Sequence, residues 1–323
     1  GSGMYDGSKC DFSSLTNCTF SDNSESGYDG EADSLTLTGC LFSDNSGVGM
    51  RGRSAAFTVT NCTFRRNSEG GLNIDDGSSS SVTKCTFIEN TANYGGGIDN
   101  DFSSTVVEDC VFIGNTSTST WFGAGGGGIN NDGELSLLEV INCTFLENAA
   151  AKWGGGICNY ESATATLTNC TFFDNSASVS GGAVHSYDPS SAILTNCIVW
   201  GNYGGDISGA TSIAHSCTQS TYQGAGNISE DPLFLDASSG DLRLSMYSPC
   251  IDTGDSVNAP SSDIVGRNRP SGLGVDMGAY EAPSLWVSQS RIFQDVVPLL
   301  TDMDLDVDFS FSLSLTPTGS QTP

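Results

Sequence analysis

Basic residues are scarce in this chain. Eleven lysines and arginines stand against 38 aspartates and glutamates in 323 residues, a net charge of −27. Such a surface repels a phosphate backbone instead of neutralising it, which excludes nucleic acid as a partner. No apolar run approaches the roughly 18 residues that a membrane-crossing helix needs. Histidine occurs only twice, as His185 and His215, which leaves little material for a histidine-based metal or acid–base centre. No secretory leader opens the sequence. Gly1-Ser-Gly-Met4 already lies inside the repeat described next, so the chain is expected to be a processed or trimmed form.

What is abundant is repetition. A cysteine, an apolar residue two positions on and an asparagine five positions on recur at Cys18/Phe20/Asn23, Cys40/Phe42/Asn45, Cys62/Phe64/Asn67, Cys85/Phe87/Asn90, Cys110/Phe112/Asn115, Cys143/Phe145/Asn148, Cys170/Phe172/Asn175 and Cys197/Val199/Asn202. Successive cysteines are 22, 22, 23, 25, 33, 27 and 27 residues apart. A period in the twenties with variable insertions implies a solenoid of stacked coils. The i, i+2 spacing of Cys and Phe puts both on one face of an extended strand, so each type should form an inward file about 4.8 Å per step. An inward Asn at the following bend can pass its amide to the Asn above and below. A glycine phrase, such as Gly95-Gly-Gly-Ile98, Gly126-Gly-Gly-Ile129 or Gly181-Gly-Ala-Val184, supplies a corner in each coil. A further short strand, such as Leu35-Thr-Leu37 or Ala192-Ile-Leu194, precedes each cysteine phrase. Three strands per coil give the triangular section of a parallel β-helix, and the chain is expected to be all-β.

The alternation of Gly-Gly-[Ala/Gly]-[Ile/Val] with Phe-x-x-Asn resembles the repeat of the chlamydial polymorphic outer membrane proteins. More broadly it is similar to the right-handed β-helix repeats of secreted bacterial proteins. Asp231-Pro-Leu-Phe234, Gly240-Asp-Leu-Arg-Leu244, Ser248-Pro-Cys-Ile-Asp-Thr-Gly254, Arg267-Asn-Arg-Pro270 and Val275-Asp-Met-Gly-Ala-Tyr-Glu281 resemble the closing module of many such proteins. The implied organisation is coils over 1–226, a closing cap over 227–283 and a tail over 284–323. The implied setting is extracellular or cell-surface. The repeat is shared by surface proteins and carbohydrate enzymes, so it does not choose between them.

The twelve cysteines suggest disulfides at first. Eight belong to the inward file (Cys18, Cys40, Cys62, Cys85, Cys110, Cys143, Cys170 and Cys197), where parallel side chains disfavour the ~90° disulfide torsion and a thiol serves as a small hydrophobe. Cys10, Cys158, Cys217 and Cys250 lie outside it, and Cys217 with Cys250 flanks the closing module. Arg51, Arg53, Arg65 and Arg66 come from neighbouring coils and are candidates for one shared face, and His185 and His215 sit at roughly equivalent corners. Asp75-Asp76 is an acidic pair beside a corner, read as a solvated turn. Tyr94, Trp121, Trp153 and Tyr160 lie near glycine corners, where they either pack as loop residues or stack on sugar rings. Six Asn-x-Ser/Thr sequons, among them Asn17, Asn61, Asn115, Asn142, Asn169 and Asn227, arise largely from the repeat itself.

The tail alternates strictly. Met303, Leu305, Val307, Phe309, Phe311, Leu313 and Leu315 share one face of an extended strand, opposite Asp302, Asp304, Asp306 and Asp308. Two readings stand: the strand folds back along its own helix or begins a further domain, or it is donated head-to-tail to another copy. The four aspartates are the metal candidates, with calcium as the suited ion, and Asp99-Asn-Asp101 is a second such group. No other cofactor is expected. The functional expectation is a non-catalytic extracellular structural or surface protein, a filament subunit or an adhesin. The alternatives are a polysaccharide lyase or hydrolase, or a glycan-binding module.

Overall fold

The structure, a computed structural model, describes residues 1–6, 14–30, 34–53, 56–75, 77–121, 125–209 and 212–283. The chain divides into two units, Gly1–Pro283 and Ser284–Pro323. The tail strand and its aspartates lie outside the described residues.

Three parallel sheets of nine strands each wind through the first unit. Sheet 1 runs from Met4–Asp6 to Ile207–Ser208, sheet 2 from Ser14–Thr16 to Ser212–Ala214, and sheet 3 from Thr19–Ser21 to Cys217–Thr218. Each strand pairs with its equivalent one coil away. A fourth, smaller sheet joins Thr91–Ala92, Thr116–Ser117, Ala149–Ala150 and Ser176–Ala177 between sheets 3 and 1. The strands form because apolar residues alternate: in Ser34–Thr38, Leu35 and Leu37 are buried while Ser34 is exposed.

Like stacks on like throughout the interior. The rings of Phe20, Phe42, Phe64, Phe87, Phe112, Phe145 and Phe172 lie nearly parallel, with successive centroids 4.6–4.9 Å apart. Beside them Leu37, Val59, Val82, Val107, Val140, Leu167 and Leu194 form a second apolar file from sheet 2. The cysteines of the repeat occupy a third file. The backbone N–H of Cys85 donates to Cys110 Sγ at 3.3 Å, and the Cys110 thiol donates to the Glu108 carbonyl at 3.2 Å. All eleven described cysteines are free thiols. At the end of the file Ser216 takes the place of a ninth cysteine, accepting from the Cys197 N–H at 3.0 Å.

The bend after each phenylalanine strand is closed by an asparagine ladder. Asn115 Nδ2 donates to Asn148 Oδ1 at 2.9 Å and to the Phe87 carbonyl at 2.9 Å. Its Oδ1 accepts from both the backbone N–H and the Nδ2 of Asn90. The same pattern runs from Asn45 through Asn202. Buried bend groups that no strand can pair are thereby satisfied.

The glycine phrase has two separate roles. Gly95, Gly126, Gly154 and Gly181 hold φ between +51° and +71°, where a side chain is strained. After the first three of these, the glycine two places later (Gly97, Gly128 and Gly156) has an ordinary φ but no room: a Cβ on Gly97 would lie 2.6 Å from the Gly128 carbonyl oxygen and 2.8 Å from the Phe112 ring. The phenylalanine stack therefore requires that glycine.

The segment from Phe234 onward covers Cys217 of the last coil and also runs back along the outer side of earlier coils. Phe234 packs edge-on against Phe173 at 5.6 Å, and the Ala279 N–H donates to Thr171 Oγ1 at 3.0 Å. Asn142, Asn169 and Asn196, the turn residues of three successive coils, donate to the carbonyls of Ser262, Asp276 and Asp255. A buried ion pair, Arg269 Nη1 to Glu281 Oε2 at 2.8 Å, fixes the segment's own shape. Its guanidinium also donates to the carbonyls of Asp276 and Gly278, which offsets the desolvation of the charge. Cys217 and Cys250 meet in a small core with Ile198, Leu244 and Met277, both as thiols.

Two substitutions measure these ladders. Phe112→Ala should cost about 3–5 kcal/mol of unfolding free energy through the cavity it leaves. Asn115→Ala should cost about 2–3 kcal/mol by orphaning the buried Phe87 carbonyl and Asn90 amides. Guanidinium unfolding monitored by circular dichroism checks both, and a loss below 1 kcal/mol for either would contradict the ladder's role (about a fivefold change in the folding constant).

Candidate functional site

The outward face of sheet 1 gathers acidic, thiol and imidazole side chains from successive coils. Its strands alternate, so that in Ile98–Asp101 residues Ile98 and Asn100 point inward while Asp99 and Asp101 point out. Parallel register then stacks one outward file in the order Asn73, Asp99, Asn130, Cys158 and His185. Asp101 and Asp132 stack in a second file, and Asp75, in register with Arg53, holds the matching place two residues after Asn73.

The first file is covered. The glycine corners turn back over it, so that a Cβ on Gly154 would meet the Cys158 Cα at 2.8 Å and one on Gly181 the His185 Cβ at 2.7 Å. Asn130, Cys158 and His185 are buried, and Asp99 is half-buried. Asn130 Nδ2 donates to Asp99 Oδ1 at 2.9 Å. Burial nevertheless pushes the Asp99 carboxyl up to about 7, with the charges of Asp75, Asp101 and Asp132 acting in the same direction. Asp132 is pushed up to about 6, by burial first and then by Glu161 and Asp101. Burial lowers His185 to about 4 and raises the Cys158 thiol. His185 Nδ1 lies 3.0 Å from Ser180 Oγ, and its ring packs between Trp153 and Tyr187 at 6.2 and 4.6 Å.

Where the smaller sheet ends, two consecutive coils open into a depression of about 310 Å³ lined by Asn93, Tyr94, Thr118, Ser119, Thr120 and Trp121. Tyr94 is 41% and Trp121 78% exposed. The polar floor is held in place: Ser117 Oγ donates to the Asn93 carbonyl at 2.8 Å, Thr118 Oγ1 to Asn93 Oδ1 at 3.3 Å, and the Trp121 N–H to Ser119 Oγ at 3.2 Å.

Several sequence expectations change here. Trp153 is 92% buried and Lys152 sits 4.7 Å over its ring, so it packs where exposure had been considered. The four arginines do not share a face: Arg51 and Arg53 lie on sheet 1 against Asp29, whereas Arg65 ends a sheet 3 strand and Arg66, in the bend after it, pairs with Asp44 at 2.7 Å. His215 sits in a turn after sheet 2 at φ +48°, not at a place equivalent to His185. Asp75 is a sheet residue, not part of a solvated turn. Asn115, Asn142 and Asn169 are buried, which removes three sequons as modification sites. An interior ladder from Asn100 through Asn131 and Asn159 to Ser186 was missed, though Ile-x-Asn at 98–100, 129–131 and 157–159 signals it. Among the described residues no group of three or more His, Cys, Asp or Glu is placed to hold a metal ion. Asp302, Asp304, Asp306 and Asp308 lie outside those residues.

Residues 4–164 match the family described as the right-handed beta helix region, and residues 169–187 match the Chlamydia polymorphic membrane protein repeat. The chain is a right-handed parallel β-helix repeat protein. No curated protein matches it. Among solved structures, the crystal structure of pectate lyase Pel9A is similar to this β-helix with a TM-score of 0.48 and 15% identity, over 79% of this chain and 73% of that one. No helix of the described β-helix is long and apolar enough to cross a membrane.

The carboxyls of Asp99 and Asp132 make a pH prediction. Their folded-state values of about 7 and about 6 lie above the unfolded ~3.9. Their contribution to stability is therefore full below about pH 4 and is lost as pH rises through 6 to 7. Asp99→Asn should raise the melting temperature at pH 8 by on the order of 2–4 °C and leave it nearly unchanged at pH 4.5. Scanning calorimetry at the two pH values checks the sign.

Proposed function

We propose that this β-helix is a non-catalytic protein of the cell surface or extracellular space that acts by recognition, in the manner of an adhesin. One observation carries the reading. On the sheet 1 face Cys158 and His185, a thiol and an imidazole that could serve as nucleophile and base, are locked away, the first fully buried and the second beneath Trp153, while neighbouring loops expose Tyr94 and Trp121. A face that hides its reactive groups and displays aromatic rings is suited to holding a partner. The match of residues 169–187 to a polymorphic membrane protein repeat supports the surface setting. Linear continuity of the coils suits such a role, because each coil contacts only its neighbours and presents a long, stiff lateral surface.

Head-to-tail self-association through Met303, Leu305, Val307, Phe309, Phe311, Leu313 and Leu315, with calcium on the facing aspartates, is part of the same proposal. Its support is the strict alternation of that segment.

A second reading, hydrolase or lyase, has the raised carboxyl of Asp99 beside Asp101 and Asp132 in its favour, since carboxyls titrating near neutrality serve general acid–base catalysis. One assay separates the two. Incubating the protein with polygalacturonate and with neutral polysaccharides, with and without calcium, should release neither reducing ends nor unsaturated products. Product formation abolished by Asp99→Asn would establish the enzyme instead.

A further inference from the structure

The Tyr94–Trp121 depression has the makings of a ligand site in its own right, and this step rests on the recognition role proposed above. We infer that it binds an uncharged saccharide. Tryptophan is a large apolar side chain that folding ordinarily removes from water, yet Trp121 is 78% exposed, and Tyr94 on the preceding coil is 41% exposed. The two rings flank a floor made only of amide and hydroxyl side chains, Asn93, Thr118, Ser119 and Thr120. This combination matches the chemistry of a pyranose. The C–H face of the ring stacks on an aromatic surface, while hydroxyls on its edge exchange hydrogen bonds with amides and hydroxyls.

The floor is preorganised. Asn93 is held by Ser117 through its carbonyl and by Thr118 through its Oδ1, which turns its amide nitrogen into a fixed donor with no partner of its own among the described residues. Thr118 is itself anchored by its N–H, which donates to the Ala92 carbonyl at 2.8 Å, and its single hydroxyl hydrogen is shared between that carbonyl at 3.0 Å and Asn93 Oδ1 at 3.3 Å. Side chains whose rotamers are already fixed lose less entropy when a ligand arrives.

Charge selects the ligand class. Among the described residues no ionised group lines the depression, and the chain as a whole carries −27. Uronates and sulfated sugars would be repelled on approach and find no cation to pair with. A volume of about 310 Å³ sits at the small end of ligand pockets, generally ~300–1,000 Å³. It suits one or two sugar units, at an affinity on the order of 0.1–1 mM per site.

The position follows from the coil spacing. The 33-residue interval between Cys110 and Cys143 is the longest in the repeat, and its extra residues include the Thr118–Trp121 loop. Insertions of this kind project from the stack without disturbing it and are where solenoids carry recognition.

The test uses the whole chain on an array of neutral and acidic oligosaccharides, followed by titration calorimetry with the best neutral hit. Wild-type protein should bind at least one neutral glycan, Trp121→Ala and Tyr94→Ala should each weaken it at least tenfold, and Trp121→Phe should restore most of the loss. Because both rings are exposed, the melting temperature of all three variants should stay within a degree or two of wild type, which separates lost contact from lost fold. Binding that is unchanged in Trp121→Ala overturns this site while leaving a recognition role elsewhere on the face intact. Binding restricted to acidic glycans, or to none, overturns the assignment of an uncharged saccharide. Depolymerisation of a polysaccharide by wild type overturns the recognition role itself, whatever the aromatic pair does.

Discussion

In-register stacking of one coil on the next is the constraint from which the rest of the structure follows. Because every inward position recurs at the rise of one parallel strand, any residue that fits once must fit beside a copy of itself. Phenylalanine satisfies that condition by lying flat on its neighbours at 4.6–4.9 Å, and asparagine by donating to one copy and accepting from another. Small thiols satisfy it by offering a sulfur to the next backbone N–H. Charged groups do not satisfy it, since like charges at that spacing repel with nothing between them. The interior is accordingly built from rings, amides, thiols and branched aliphatics.

The same rule acts on the outside, where it is less comfortable. Asp101 stacks on Asp132, and Asp99 lies among Asp75, Asp101 and Asp132 because the register puts them there. Further toward the N-terminal coils the conflict is relieved, with Arg51 and Arg53 both reaching Asp29. In the middle it is moderated by Asn130 at Asp99 and by the Gly133 backbone N–H at Asp132, and the cost appears as carboxyls that ionise late. Toward the C-terminal coils the same face becomes aromatic, with Trp153, Tyr187 and Tyr160 packed edge to face around His185. One strip of sheet thus changes from paired charge to crowded acid to aromatic cover within a few coils.

The closing segment shows how a repeat is put to a second use. The bend after each sheet 2 strand needs a left-handed residue, and asparagine adopts that conformation at Asn142, Asn169 and Asn196 with φ of +51° to +55°. Their side chains are then free to point away from the coil, and three of them grip the returning chain. Two residues that look like repeated glycosylation sequons, Asn142 and Asn169, are hydrogen-bonding anchors for this reason. The segment shields Thr144, Leu146, Thr171 and Ile198 on the outer side of sheet 3, all of them buried.

The order of residues alone determined that this is a stacked all-β solenoid, which positions form its inner files, and where its bends fall. Those properties are periodic, and a period of alternating side chains translates directly into a face of a strand. The outward face was less legible. Nothing in the local sequence around Cys158 or His185 marks them as buried, because what covers them is a corner folding back from the same coil and the ring of Trp153 beside it. Trp153 and Trp121 read alike in sequence, each just ahead of a glycine-rich run. Only the tertiary structure separates them, since Trp153 packs against His185 and Tyr187 whereas Trp121 is 78% exposed. The path of the closing segment, too, was set by contacts between residues more than a hundred positions apart, such as Asn142 with Ser262, and no spacing along the chain encodes a contact of that range.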